Sequence, residues 1–243
     1  MEIIEMQVRV LGRDGLYRLH PVLIKTNDEL ILVDCLYPGN YDALETAISD
    51  AGFDIKALTK IFITHADHDH IGTLSAILDV CPDIDIFASE KEAPYLTGAK
   101  KWYRQEAAET LLSIATGEKL AQIQELISYF KTVKIVPSVS MLKIGRCDFC
   151  PDLEIIATGG HTHGHISIYS HELKALIAGD ALIVRRGLLD VAELQYAMDK
   201  PAVFETVACL STYEIETVYC YHGGAIHGGI SEQLEGIMKS YQK

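Results

Sequence analysis

Apolar and polar positions alternate over Met6-Gln7-Val8-Arg9-Val10, and apolar runs follow at Val22-Leu23-Ile24 and Leu30-Ile31-Leu32-Val33 with Thr26-Asn27-Asp28 as a turn. Period two predicts strands, so the chain opens as an antiparallel meander. Pro38-Gly39-Asn40 breaks the pattern, and Leu44, Ile48 and Ala51 then share one stripe of a helix over residues 41–51. Lys60-Ile61-Phe62-Ile63-Thr64 is the next strand, residues 71–80 read as helix, and Ile84-Asp85-Ile86-Phe87 as strand. From about 90 to 130 the spacing changes to three and four, most clearly at Leu120, Ile123, Leu126, Ile127 and Phe130, which predicts a helical insertion broken at Gly98 and Gly117. Strands are expected again at 133–136, 141–144, 153–156, 166–169 and 175–178, and a helix, a strand and a helix at 202–212, 217–221 and 231–240. Two strand-rich stretches, each closed by helices, suggest two sheets face to face with helices outside. No linker composition divides residues 1–243, so one domain is expected.

The longest apolar runs have strand length, far short of the ~20 residues that cross a bilayer. Acids at Glu2 and Glu5 stand where a secretory signal would place bases, so a cytoplasmic location is expected. A formal charge of −13 disfavours nucleic acid and anionic membranes as partners and leaves a small-molecule substrate. The six cysteines are too few for a disulfide scaffold and read as reduced thiols. Cys147-Asp148-Phe149-Cys150 has no second pair to complete a structural zinc site and reads as a hairpin turn.

Eight of the ten histidines crowd into three segments, each just after a predicted strand: Thr64-His65-Ala66-Asp67-His68-Asp69-His70, Gly160-His161-Thr162-His163-Gly164-His165 and Tyr221-His222-Gly223-Gly224-Ala225-Ile226-His227. Ile177-Ala178-Gly179-Asp180 ends another strand in a carboxylate. Nitrogen and oxygen donors gathered at strand ends suit a divalent cation.

These segments, in this order, resemble the metallo-β-lactamase-fold superfamily, with the Ile31-Leu32-Val33-Asp34 strand also similar. The resemblance implies an α/β fold, a four-layer αβ/βα sandwich with the site at one edge of the sheets and the helical insertion at about 90–130. It also implies two divalent metal ions, zinc first and manganese or iron as alternatives. One would be held by His65, Asp67 and His161, the other by Asp69, His70 and His222, with Asp180 bridging. Asp67 stands where most members have histidine; a further ionised carboxylate would weaken the Lewis acid and shift preference from zinc towards manganese or iron, with intrinsic affinities still favouring zinc where it is abundant. The implied chemistry is hydrolysis of a small ester, thioester, lactone or phosphoester by a metal-bound hydroxide, Asp69 orienting the nucleophile. His227, Tyr196 or water would protonate the leaving group. His68 reads as a non-ligand, His163 as a rim residue, and His165 as a partner that supports a ligand by hydrogen bonding.

Two other classes stay open. His65, His161 and Asp180 alone would resemble the mononuclear iron set of persulfide dioxygenases, and the Asp67 position resembles diiron redox proteins, whose flavin domain is absent here. A module that keeps the fold without turnover is the third. The aromatics Tyr95, Trp102 and Tyr103 read equally as core or as a pocket wall, Arg185 and Arg186 as surface charges or an anion clamp, and a homodimer is left open.

Overall fold

The computed structural model describes residues 1–241 of the chain. Its first half runs β1 (Glu2–Glu5), β2 (Val8–Gly12), β3 (Gly15–Leu19), β4 (Val22–Lys25), β5 (Leu30–Val33), α1 (Tyr41–Asp50), β6 (Lys60–Phe62), α2 (His68–Ile71), α3 (Leu74–Val80), β7 (Asp85–Ala88), α4 (Ala93–Leu96), α5 (Tyr103–Leu112), α6 (Glu118–Phe130) and β8 (Ser140–Met141). The second half runs β9 (Gly145–Cys147), β10 (Cys150–Ala157), β11 (Ile166–Ser170), β12 (Ala175–Gly179), β13 (Ile183–Arg185), β14 (Leu188–Asp190), α7 (Lys200–Leu210), β15 (Thr217–Cys220), β16 (Gly224–His227) and α8 (Ile230–Tyr241).

Two six-stranded mixed sheets result, ordered β1-β4-β5-β6-β7-β8 and β16-β15-β12-β11-β10-β9. Period-two burial explains how they stack. In β5, Ile31 and Val33 join Val22, Ile24 and Phe62 against Ile155, Ile168 and Ile177 of the facing sheet, while Leu30 and Leu32 point the other way, into a core shared with Leu44 and Ile48 of α1 and Ile77 of α3. In β12, Ile177 faces the inter-sheet core, whereas Leu176 and Ala178 pack beneath Val207 and Leu210 of α7 and Leu234 of α8. A strand buried on both faces must be apolar throughout, and both are. Each such fully buried Leu, Ile or Val side chain contributes roughly 1.5–3 kcal/mol relative to exposure. The layers are thus helix, sheet, sheet, helix, the four-layer sandwich the resemblance implies.

Several local expectations need correction. The opening meander omits β1 and β3, and β2 pairs with β3 as a separate hairpin rather than joining either large sheet. Residues 133–136 are not a strand: Val133 and Val136 are buried, but Pro137 follows and cannot donate to a ladder. Residues 141–144 shrink to the two-residue β8, and the β13–β14 hairpin lies outside the expected elements. The 90–130 insertion does fold as three helices, α5 and α6 enclosing a small core of Ala108, Ile127 and Phe130. Cys147 and Cys150 are cross-strand partners in the β9–β10 hairpin, and both are free thiols.

Topology carries the predicted donors to one edge. Strands β5 and β6 are parallel, so Asp34 and Thr64-His65 leave the sheet at the same end. Strand β12 is parallel to β15 and antiparallel to β11, which is antiparallel to β10, so the loops with His161, Asp180 and His222 share one edge of the second sheet. The edges are tied by Ile166 N–H donating to Thr64 O at 3.0 Å, and Leu19 of the β2–β3 hairpin bridges to His222 at the second sheet's edge.

Candidate metal centre

The first donors come from a sharp connection after β6. Asp67 precedes the single helical turn α2, and Gly72 N–H ends that turn on Leu36 O at 2.8 Å. A Cβ on Gly72 would lie 2.1 Å from Pro38 N, so only glycine lets the two loops approach. Asp34, with φ 60°, turns its buried carboxylate into this loop and accepts from Thr64 N–H at 2.9 Å, Thr64 Oγ1–H at 2.7 Å and His70 Nδ1–H at 2.8 Å. The hydroxyl of Thr64, committed to Asp34 as donor, accepts from His65 Nδ1 at 3.1 Å. Both imidazoles therefore carry a proton on Nδ1 and aim their Nε2 atoms inward.

Other loops complete the ring. Glu92, at the start of α4, is buried and accepts from Ala66 N–H at 2.9 Å, Thr162 Oγ1–H at 2.7 Å and Gly164 N–H at 2.9 Å, binding the His65 loop to the His161 loop. His165 accepts from Asp180 N–H on Nε2 at 2.9 Å, with Nδ1 2.8 Å from Thr158 Oγ1. This pairing requires a neutral ring, and burial, with His65 and His161 beside it, holds the imidazolium well below its ordinary range. Tyr221 stacks on His70 at 4.0 Å between ring centroids, accepts from Leu36 N–H at 2.9 Å and donates to Asp69 O at 2.7 Å.

Two donor groups form. In each of His65, His161, Asp180 and Asp69, His70, His222, the candidate ligand atoms lie within 4.8 Å of one another. Asp180 touches both: Oδ1 is 3.3 Å from His70 Nε2 and 3.4 Å from His222 Nε2, while Oδ2 is 3.4 Å from His161 Nε2 and 4.0 Å from His65 Nε2. His65 Nε2, His70 Nε2 and Asp180 Oδ1 are buried with no hydrogen-bond partner among the described residues. A buried polar atom left bare costs about 1–3 kcal/mol, and lone pairs facing one another across a carboxylate fit divalent cations.

In the metal-free protein the same carboxylates draw protons onto the imidazoles, which a cation would displace. Burial by itself would depress the imidazoliums of His70 and His222, but facing carboxylates override it: Asp34, Asp180 and Asp69 raise His70, and Asp180 and Asp69 push His222 up to about 10. Burial likewise pushes the Asp69 and Asp180 carboxyls up, and the neighbouring histidines more than reverse it, holding both below the usual range.

The remaining expected residues fall differently. Asp67 borders the first group, Oδ2 lying 3.5 Å from His65 Nε2 and 3.1 Å from His161 Nε2, but its carboxylate also carries partners from α5 that the sequence pattern does not reveal. Tyr103 O–H donates to Oδ1 at 2.7 Å, Arg104 Nε lies 2.8 and 2.9 Å from the two oxygens, and Arg104 Nη2 adds a bond to Oδ2. His227 is not brought to the cluster: it sits at the far end of the β15–β16 hairpin, opposite Thr217, exposed, with Nδ1 3.1 Å from Thr217 Oγ1. His163 is exposed, and His68 packs among Tyr37, Tyr129 and Phe130. Trp102 donates to Tyr95 O, and Arg185 is taken up by Asp190 and Glu193.

Comparison with known proteins decides the family: the model described as Metallo-beta-lactamase superfamily matches residues 20–222. The chain belongs to the metallo-beta-lactamase superfamily. Within the superfamily it is 30% identical over 187 residues to the probable metallo-hydrolase YflN of Bacillus subtilis (strain 168), covering 71% of this chain and 66% of that one. Among solved structures, a metallo-beta-lactamase family protein from Thermus thermophilus superposes with a TM-score of 0.74 at 20% identity, over 99% of this chain and 79% of that one. TTHA1623 in a di-iron-bound form gives 0.63 at 20% identity, over 93% and 97%. With these matches the chain is a probable metallo-hydrolase of the metallo-beta-lactamase superfamily with two candidate metal sites. No helix among the described residues is long and apolar enough to cross a membrane.

Proposed function

We propose that the protein is a dinuclear metal-dependent hydrolase of small ester, thioester, lactone or phosphoester substrates. The observation that carries this reading is Asp180, whose two oxygens face opposite imidazole pairs. His65, His161 and Asp180 would hold one cation and Asp69, His70 and His222 the other, with Asp180 shared. Four imidazoles with two carboxylates favour zinc, and the oxygen donors leave manganese or iron as substitutes. When bound, the cations supply Lewis acidity and bring water towards a pKa of roughly 7 at zinc. The likeness to a probable metallo-hydrolase supports the activity, and the di-iron-bound neighbour supports room for two ions.

The chain's own groups do the rest. Asp69, held ionised by His70 and His222, can accept a proton or hydrogen bond from the attacking water. Asp34 and Thr64 fix the His70 and His65 rings so that neither reorients during turnover. Burial, then the charge of Asp67, pushes the Tyr103 hydroxyl far up, so it holds its proton and orients Asp67. Tyr196 is half exposed, with its ring 5.5 Å from the guanidinium of Arg104, which borders the donor cluster, and we assign leaving-group protonation to it or to solvent in place of His227.

The test is elemental mass spectrometry of tag-free protein, followed by a panel of p-nitrophenyl ester, thioester, lactone and bis-p-nitrophenyl phosphate substrates. Two equivalents of metal with turnover on one substrate class, lost in Asp180→Asn, is the expected result. A single iron with oxygen uptake on a persulfide would replace this reading with dioxygenase chemistry at His65, His161 and Asp180.

A further inference from the structure

The two donor groups are not equivalent, and the difference lies in the helical insertion. Arg104, from α5, reaches Asp67 with Nε and Nη2 together, and the same Nη2 lies 3.1 Å from His161 Nε2. Its guanidinium carbon is 5.0 Å from the centre of the Tyr103 ring and 5.5 Å from that of the Tyr196 ring, so two aromatics within cation–π reach help hold it in place. A fixed cation thus occupies the Asp67 and His161 side of the first donor group. Nothing comparable stands at the second: among the described residues, Asp69 and Asp180 pair only with histidines. Of the inward nitrogens it is His161 Nε2 that this cation reaches, lying 3.1 Å from both Arg104 Nη2 and Asp67 Oδ2, whereas His65 Nε2 of the same group and His70 Nε2 of the other have no hydrogen-bond partner among the described residues.

One imidazole lone pair serves one N–H donor or one metal ion, not both. A divalent ion at His65, His161 and Asp180 must displace Arg104 Nη2 from His161 and sit beside a guanidinium that cannot be deprotonated. We propose that Arg104 is a resident cation that sets the order of metal loading: the Asp69, His70 and His222 group fills first and tightly, the His65, His161 and Asp180 group second and weakly. Asp67 then serves chiefly to anchor Arg104. This inference rests on the two-cation reading above, and its test separates the two.

The experiment is calorimetric titration of metal-free, tag-free protein with zinc, with bound zinc counted by elemental mass spectrometry after dialysis. The expected wild-type result is two equivalents whose affinities differ by at least about tenfold, or about 1.4 kcal/mol. His222→Ala should remove the tight equivalent and His161→Ala the weak one. Arg104→Gln should tighten the weak equivalent by about tenfold or more. Because that change leaves Asp67 buried without its partner, the double variant Arg104→Met with Asp67→Asn, which replaces the pair by neutral groups of similar volume, is measured alongside and should show the same tightening. Two wild-type equivalents within about threefold of each other, or an unchanged separation in the double variant, overturns the inference and leaves the hydrolase reading standing. Absence of any bound zinc, with manganese and iron(II) titrated in the same way also failing to bind, overturns both.

Discussion

His70 donates its Nδ1–H to the buried Asp34 carboxylate at 2.8 Å, and the same Asp34 oxygen receives the Thr64 hydroxyl at 2.7 Å, so one acid orients two of the inward-facing imidazoles. Partners of this kind typically cost about 10–100-fold in metal affinity when removed. Asp34→Ala should lose that much at the second donor group, with a smaller loss at the first through Thr64 and His65. It also strands buried donors on Thr64 and His70, at about 1–3 kcal/mol each. Zinc affinity and urea unfolding of Asp34→Ala measure the two effects, and unaltered zinc affinity would remove Asp34 from the site.

The pKa of His222 makes metal binding and stability depend on pH in opposite senses. Its folded value is raised to about 10 by Asp180 and Asp69 despite burial, against an ordinary value of 6.5. In the metal-free protein the stabilisation from this imidazolium is fully present below the unfolded pKa and is lost as pH rises through the folded one, so unfolding free energy should fall between about pH 6.5 and 10. A cation needs the neutral ring, so loading releases a proton. Calorimetry at pH 8 in buffers of different ionisation enthalpy should report proton release per zinc. His222→Gln should lose part of it and flatten the stability decline.

What could be read in the chain and what could not divide by distance along it. His65, His161, Asp180 and His222 each lie within four residues of the end of an apolar strand, with His70 in the one-turn helix after β6, and strand ends are local features. The loading of Asp67 could not be read, because it is decided by Arg104, 37 residues on in a helix whose pattern reads as an ordinary insertion. Tyr221 reaches Asp69 across 152 residues, and Glu92 reaches Thr162 across 70. Sequence proximity misled at His227: it lies five residues past His222, yet the β15–β16 hairpin reverses the chain and sets it opposite Thr217. The sandwich itself was legible because strands buried on both faces, such as Leu30–Val33 and Ala175–Gly179, are apolar throughout. The β2–β3 hairpin escaped because Gly15-Leu16-Tyr17-Arg18 is largely exposed and shows no alternation of burial.

Glu92 offers a test of how the site loops are held. Its carboxylate serves donors from Ala66, Thr162 and Gly164, all buried, and bonds to a charged acceptor are worth about 1.5–3 kcal/mol each. Glu92→Ala should destabilise by at least about 3 kcal/mol in urea unfolding. Glu92→Gln, which keeps an acceptor oxygen for Thr162 and Gly164, should lose less. If both variants unfold with the wild type, the carboxylate does not join the loops.

Gly179 sets the position of the shared carboxylate. It adopts φ +55°, and a Cβ there would lie 2.7 Å from His165 Nε2 and 2.9 Å from Thr64 Cβ. The left-handed backbone alone costs a non-glycine residue roughly 1–2 kcal/mol. The close approach adds a second cost, because His165 is pinned by Thr158 on one side and by the Asp180 amide on the other and cannot withdraw without releasing Asp180. Gly179→Ala should therefore lower stability by more than the backbone term and shift Asp180, weakening zinc at both donor groups together. Asp180→Asn, which leaves the backbone in place, should weaken zinc at both groups and cost the metal-free protein only the charge stabilisation that Asp180 gives the His70 and His222 imidazoliums, a loss that shrinks as pH rises towards about 10. Comparing the two by zinc titration and urea unfolding separates strain at Gly179 from loss of the bridging charge; a Gly179→Ala protein with wild-type stability and zinc affinity would show that the loop relaxes around the added methyl.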